Sequence, residues 1–271
     1  MFLWVDDKEL KQHASYQAAK AGDIDAAIQL VSDIAQPLLQ QLILRMENGR
    51  LSDNPVLVAP HAREAKGDNA IPQVLATMLS IAGGTLDQEI VQTTKVYHTG
   101  ADAMERLIAR ASFHGAVYRG RDYILVDDVT TLGGTLCDLA DHIRRGGGNV
   151  VAAAVLVNAS RSGRLCPVQR TVQRLEKEYG HVIRETFGIE PAALTADEAQ
   201  YLLGFRTAEE IRGRSAKARE TTNLRLRAKG IFLPQAEGGR RQGTSVKQHR
   251  VPFPGASAIS TFNHWIQKRK Q

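Results

Sequence analysis

The chain has 271 residues, of which 43% are apolar and 24% charged, the make-up of a soluble globular protein with one sizeable core. No apolar run reaches the roughly 18 residues that a membrane-spanning helix needs. The opening Met1-Phe2-Leu3-Trp4-Val5-Asp6-Asp7 turns acidic at once without a basic lead-in, which argues against a secretory signal. Two cysteines, Cys137 and Cys166, make neither a disulfide framework nor a metal cluster and fit a reducing cytoplasm. The net charge is +6, yet the stretch from Asn223 to the end holds ten Lys or Arg against one Glu, a local +9 that leaves −3 for the first 222 residues. A basic tail on a mildly acidic body points either to a polyanion partner such as nucleic acid or to a solvated extension with no partner.

From Lys8 to about Gly49 the apolar positions recur at helical spacing, through Ala26, Ala27, Leu30, Val31 and Ile34 to Leu38, Leu39, Leu42, Ile43 and Met46. Asp23 is a good N-cap after Gly22, and Pro37 marks a break near Gln36. Two or three helices are therefore predicted before the first strand, Pro55 to Ala59. The loop from Pro60 to Gly67 follows, and Asp68 or Asn69 caps a helix to about Ile81, with Pro72 in its first turn. Strand, basic loop and helix N-terminus make an anion site, with Arg63 and Lys66 as its cations unless they are ordinary surface charges. Glu89 to Gln92 reads as a second strand. The long stretch Thr93 to Gly120 carries Lys95, His98, Arg106, Arg110 and His114; Ala101 to Ala111 is helical in pattern, and Ala116 to Gly120 reads as a short hairpin strand.

The most informative stretch is Tyr123 to Leu136. Four mostly apolar residues, Tyr123-Ile124-Leu125-Val126, run into the carboxylates Asp127 and Asp128. This is a buried parallel strand delivering polar groups at its carboxyl end, where open α/β sheets bind ligands. Thr131-Leu132-Gly133-Gly134-Thr135 has little side-chain bulk, so its backbone N–H groups can wrap an anion at the start of the next helix. The carboxylates would repel a bare phosphate, so they address something else on the ligand, and sugar hydroxyls fit because an ionised Asp only accepts hydrogen bonds. A Walker B strand ends similarly, but its Gly-x-x-x-x-Gly-Lys-Ser/Thr partner is absent from the sequence.

An amphipathic helix over Cys137 to Arg145, ended by Gly146-Gly147-Gly148, and a buried strand from Asn149 to Val157 complete a strand–helix alternation that predicts a parallel sheet. Helices follow from Val168 to Tyr179, after a Thr195–Glu198 capping box, and from Thr207 to Arg219 or beyond. From Lys229 onward Gly, Gln, Arg, Pro and Ser dominate and predict an extended or disordered arm.

Residues 123–136 resemble the phosphoribosyl-pyrophosphate (PRPP) motif of type I phosphoribosyltransferases: an apolar strand, two acids, two variable residues, then Thr-x-Gly-x-Thr. Asp127, Asp128, Thr131, Gly133 and Thr135 fall in register, and Leu132 replaces a usual Thr, which removes one hydroxyl but no backbone donor. From Thr93 to Leu156, with Thr94-Lys95, Glu105-Arg106 and Phe113-x-Gly115 before the acids, the chain is most similar to the competence-associated ComF-type members. The resemblance implies an α/β fold with a central parallel sheet flanked by helices, and the chain adds N-terminal and C-terminal helical segments to it. Its parts would be a helical segment 1–53, a core 54–160, a helical block 161–222 and a basic tail 223–271. It implies that Asp127 and Asp128 are catalytic and hold the ribose hydroxyls. Thr130, Thr131, Leu132, Gly133, Gly134 and Thr135 would hold the 5′-phosphate, and Arg63, Lys66, Lys95, His98 and Arg106 the pyrophosphate. Mg²⁺ would bridge pyrophosphate and ribose, with Asp127 and Asp128 as its protein ligands. Segment 93–120 would be a lid, and the N-terminal segment is a candidate hood over the base or a mere cover for the sheet. The implied activity is transfer of phosphoribosyl from PRPP to a nitrogenous base in the cytoplasm, by a monomer or homodimer. The alternatives are a non-catalytic PRPP sensor and a DNA-uptake or mobile-element accessory protein that binds nucleic acid through the tail.

Overall fold

The computed structural model describes residues 2–5, 10–60, 63–64, 67–93 and 101–228. In chain order its strands are β1 (Phe2–Trp4), β2 (Val56–Val58), β3 (Arg63–Glu64), β4 (Gly67–Asp68), β5 (Thr85–Leu86), β6 (Val91–Gln92), β7 (Phe113–His114), β8 (Asp122–Thr130) and β9 (Asn149–Asn158). The helices are α1 (Tyr16–Lys20), α2 (Ile24–Ile34), α3 (Gln36–Glu47), α4 (Ile71–Ser80), α5 (Ala103–Ile108), α6 (Gly134–Arg145), α7 (Gln169–Phe187), α8 (Ala196–Leu203) and α9 (Ala208–Ala228).

Five strands form one parallel sheet in the order β1-β9-β8-β2-β5. Residues alternate across its faces, as the two-residue period of a strand demands. In β8, Tyr123 and Leu125 pack with Leu136, Leu139 and Ile143 of α6, while Ile124 and Val126 pack into the layer of α1 to α4. Burial on both faces is why this strand reads as an uninterrupted apolar run. The long β8–β9 pairing, from Asp122 opposite Asn149 to Thr130 opposite Asn158, carries the two carboxylates to the sheet's carboxyl edge. The expected α/β architecture is therefore present: a central parallel sheet, helices on both faces, and helical additions at either end.

A third core stands apart from the sheet. Met104 and Leu107 of α5 pack with Leu175, Val182 and Ile183 of α7, Leu202 of α8, and Ile211 and Ala218 of α9. Polar contacts fasten α5 to α9 as well. Asp102 pairs with Arg214, the Ser215 hydroxyl meets the Met104 sulfur, and Glu105 accepts from Thr222 at 2.9 Å and Arg225 at 3.2 Å.

Four expectations need correction. The first sheet strand is Phe2–Trp4, not Pro55 to Ala59; it lies parallel to β9 at the edge, ahead of the N-terminal helices. The second strand of the reading, Glu89 to Gln92, is not in the main sheet. Thr85–Leu86 takes that edge because Thr85 and Asp87 donate to the carbonyls of Pro55 and Leu57 at 2.8 Å each, and Val91–Gln92 pairs antiparallel with Phe113–His114 instead. Residues 116–120 are irregular rather than a strand, with a turn at Arg119 and Gly120. The Tyr118 N–H donates to the buried Tyr123 hydroxyl at 2.8 Å, and Gly115 has φ +137°, where an added Cβ would lie 2.2 Å from the Glu89 carbonyl oxygen. Finally, α9 runs through Ala228, so the boundary drawn at 223 falls inside a helix. Residues 229–271, and with them most of the basic tail, lie outside the described residues.

Beneath the β6–β7 ribbon, Asp87 is buried with one oxygen accepting from the N–H groups of Glu89 at 3.0 Å and Ile90 at 2.8 Å, and with the other oxygen unpartnered. Burial pushes this carboxyl above its ordinary range against the pull of those two N–H groups. The folded state thus holds its proton to higher pH than the unfolded chain does, and stability falls as pH rises through that interval. Asp87→Asn keeps the accepting oxygen and loses the charge. The variant's melting temperature is expected to exceed the wild type's by a margin that widens from pH 4 to pH 7, as thermal melts across that range would show.

Candidate functional site

The sheet's carboxyl edge opens into a cavity of about 330 Å³. Its floor is the end of β8. Asp128 is 3% exposed, and its carboxylate is fully engaged on one side: Oδ1 accepts from the Val129 N–H at 2.8 Å, and Oδ2 accepts from Asn69 Nδ2 at 3.1 Å and pairs with Lys20 Nζ at 2.9 Å. Asp127 accepts from the Asp128 N–H at 2.9 Å and lines the cavity. Burial pushes the Asp127 carboxyl well above its ordinary range and the neighbouring Asp128 charge adds to this, while Lys20 opposes both.

Beyond the carboxylates the chain turns at Thr130 to Gly133 into α6. Gly133 is the residue before the helix, in the left-handed conformation at φ +78° that glycine adopts without strain, and no side chain caps the helix among the described residues. A Cβ on Gly133 would come within 3.0 Å of Leu165, and one on Gly134 within 2.9 Å of Glu198. The Thr130 hydroxyl is buried and has no partner. An uncapped helix N-terminus, a loop without side-chain bulk and an unsatisfied buried hydroxyl converge on one spot, the environment of a small anion.

Arg106 and Arg110 of the α5 region close this side. Arg106 donates to the Ala101 carbonyl at 3.0 Å and to the Thr131 hydroxyl at 2.8 Å, which brings this predicted pyrophosphate cation against the loop. Glu105 turns inward, where it caps α5 and meets α9. Arg63 lies in the short β3–β4 ribbon between β2 and α4; Lys66, Lys95 and His98 fall outside the described residues.

Four residues of the site were not among the predicted ones. Lys20 sits in an Ala-rich helix with nothing local to mark it, and Asn69, expected as a cap of α4, stands one residue before the actual N-cap Ala70 and accepts from the Ile71 N–H at 3.2 Å. Arg110 reaches Asp138 at 3.4 Å and Glu198 at 3.1 Å. Glu198 also forms the expected capping box with Thr195, accepting at 2.8 Å and donating its own N–H at 3.1 Å. The signal for the box was in the sequence; its place beside the α6 N-terminus was not. Burial pushes both Glu198 and Asp138 upward, with Arg110 countering it.

Residues 52–184 match the family model for the phosphoribosyl transferase domain. This stretch, about half of the chain, is similar to that domain. Across 244 residues it is 33% identical to Protein TraN of Escherichia coli, an alignment that takes in 88% of this chain and 54% of that protein. It is also 33% identical over 108 residues to an orotate phosphoribosyltransferase of Methanopyrus kandleri, covering 40% of this chain and 49% of the relative. The chain thus spans about half the length of these curated relatives. Among solved structures, adenine phosphoribosyltransferase from Leishmania donovani aligns with 66% of this chain and 77% of its own, at 15% identity and a TM-score of 0.35, a likeness that carries no residue roles. The phosphoribosyl transferase match includes the acidic pair, the loop and Arg110, and excludes Lys20 and Glu198.

The matched stretch is therefore tied to the C-terminal helices by a buried ion cluster. Removing one member of such a cluster costs about 3–5 kcal/mol, since the partners stay behind as uncompensated charges. Arg110→Met is expected to lower stability by that order in denaturant titration, and Arg110→Met/Glu198→Gln to recover part of the loss.

Proposed function

We propose that this protein binds PRPP in the cavity at the end of β8 and transfers its phosphoribosyl group to a nitrogen acceptor. The observation that carries the reading is the buried, partnerless Thr130 hydroxyl beside the uncapped α6 N-terminus, two residues beyond the second carboxylate. A phosphate placed at that N-terminus leaves the attached sugar over Asp127 and Asp128, whose oxygens accept from its 2′- and 3′-hydroxyls. In the reaction the C1–oxygen bond to pyrophosphate breaks, a C1–nitrogen bond forms, and the acceptor's proton departs. Positive charge develops on the sugar as the bond breaks, and the carboxylate pair below it stabilises that charge without reorganising. Arg106, held to the loop through Thr131, supports the negative charge on the departing group.

Mg²⁺ fits this arrangement as a companion of the substrate. Among the described residues no group of three or more His, Cys, Asp or Glu is placed to hold a metal. Two carboxylates plus substrate phosphates are, however, the usual setting for this ion. When bound it neutralises pyrophosphate charge, with Asp127 and Asp128 as the chain's ligands to it. Arg63, Lys66, Lys95 and His98 complete the proposed pyrophosphate grip.

The acceptor is proposed as a nucleobase. Orotate and adenine, named for the two enzymes above, head the screen. The second reading, a PRPP sensor that meets nucleic acid through residues 223–271, rests on the +9 charge of that stretch. Calorimetric titration with PRPP and Mg²⁺ tests the central claim. Saturable binding is expected in the wild type, and a loss of more than about tenfold in affinity in Asp127→Asn/Asp128→Asn, the order of two charge-assisted hydrogen bonds. A folded wild type that fails to bind PRPP would overturn it. Pyrophosphate release with a base then separates enzyme from sensor.

A further inference from the structure

Lys20 lies outside the phosphoribosyl transferase match, yet its ammonium stands 2.9 Å from Oδ2 of the motif's second carboxylate. That oxygen also accepts from Asn69, so both of its lone pairs are taken. The two donors arrive from one clamp. The Ala70 N–H donates to the Ala19 carbonyl at 3.1 Å, and Gly22, at φ +101°, packs so closely that a Cβ there would sit 2.9 Å from the Asp68 carbonyl oxygen. The backbone of α1 is thereby fixed against the entry to α4, and the Lys20 side chain that reaches out from it is 26% exposed. Asp127 has no comparable ion pair among the contacts described; its carboxylate accepts from the Asp128 N–H at 2.9 Å.

We propose that Lys20 is the resident counter-cation of the sugar subsite: it holds Asp128 Oδ2 until a divalent cation arriving with the ligand takes that oxygen, so the N-terminal helix sets the metal requirement of the site. The proposal rests on the PRPP reading for the identity of the ligand, but the exchange of lysine for metal is testable without PRPP. In the empty protein Lys20 screens the carboxylates from metal. Loading exchanges one cation for another, with no step in which the adjacent charges stand bare.

The test is titration of the full chain with Mn²⁺ alone, followed by electron paramagnetic resonance of the free ion, in the wild type, Lys20→Met and Lys20→Arg. Lys20→Met is expected to bind Mn²⁺ about tenfold more tightly than wild type, the scale on which a neighbouring unit charge alters an ionic site. Lys20→Arg retains the charge and stays close to wild type. Unchanged or weaker Mn²⁺ binding in folded Lys20→Met overturns the proposal. The wild type supplies a second arm that needs no variant. Amine labelling of Lys20, read by mass spectrometry, is expected to rise when Mn²⁺ and PRPP are added, and protection instead would overturn it. A contrast in Mn²⁺ affinity without any PRPP binding would sink the transferase reading and leave the counter-cation role standing. PRPP binding without the contrast does the reverse.

Discussion

Two carboxylates on consecutive residues at the end of a buried strand cannot both stay ionised without countercharge, and the surrounding structure is arranged about that constraint. Asp128 is neutralised by Lys20 and fixed by Asn69, while Asp127 is left to the cavity with its protonation pushed upward. Both carboxylates line the cavity, but they are held differently. One carboxylate is anchored toward the N-terminal helices and the other is offered to whatever enters.

The α6 end of the cavity is built on the opposite principle. Positive potential there comes from the α6 N-terminus, which no side chain caps among the described residues, and from Arg106 on the Thr131 hydroxyl. Glu198 comes close to the helix start, but Arg110 accompanies it. Asp197 pins the loop after β9 through the N–H groups of Arg161 and Ser162, at 2.9 Å each, and that loop lays Leu165 against Gly133. The C-terminal helices therefore shape the loop from behind as well as covering it.

The acid–loop–helix unit was legible because its whole message lies in fourteen consecutive residues, each with a local reason: apolar burial, charge, absence of bulk, helix start. The caps at Asp23 and Thr195 were legible on the same ground. What sequence did not disclose depends on partners far along the chain. Phe2–Trp4 is too short to show a period, and becomes a strand only because β9 offers an edge about 150 residues later. Thr85–Leu86 takes the edge in place of Glu89 to Gln92 because its backbone pairs with Pro55 and Leu57, a contact no local pattern announces. Lys20, Asn69 and Arg110 carry no local mark, since their meaning is a distance to a carboxylate 28 to 108 residues away in the chain.

The fastening of α5 to α9 bears on how the protein divides. Homology marks out 52–184, a cut that ends inside α7 and retains every residue of the acidic motif. Such a fragment would keep the letters of the site and lose its tension. Arg106 would sit on a six-residue helix whose capping acid, Glu105, had lost its anchors Thr222 and Arg225, and Asp128 would face the cavity without Lys20. The inherited unit and the working unit are different lengths of chain.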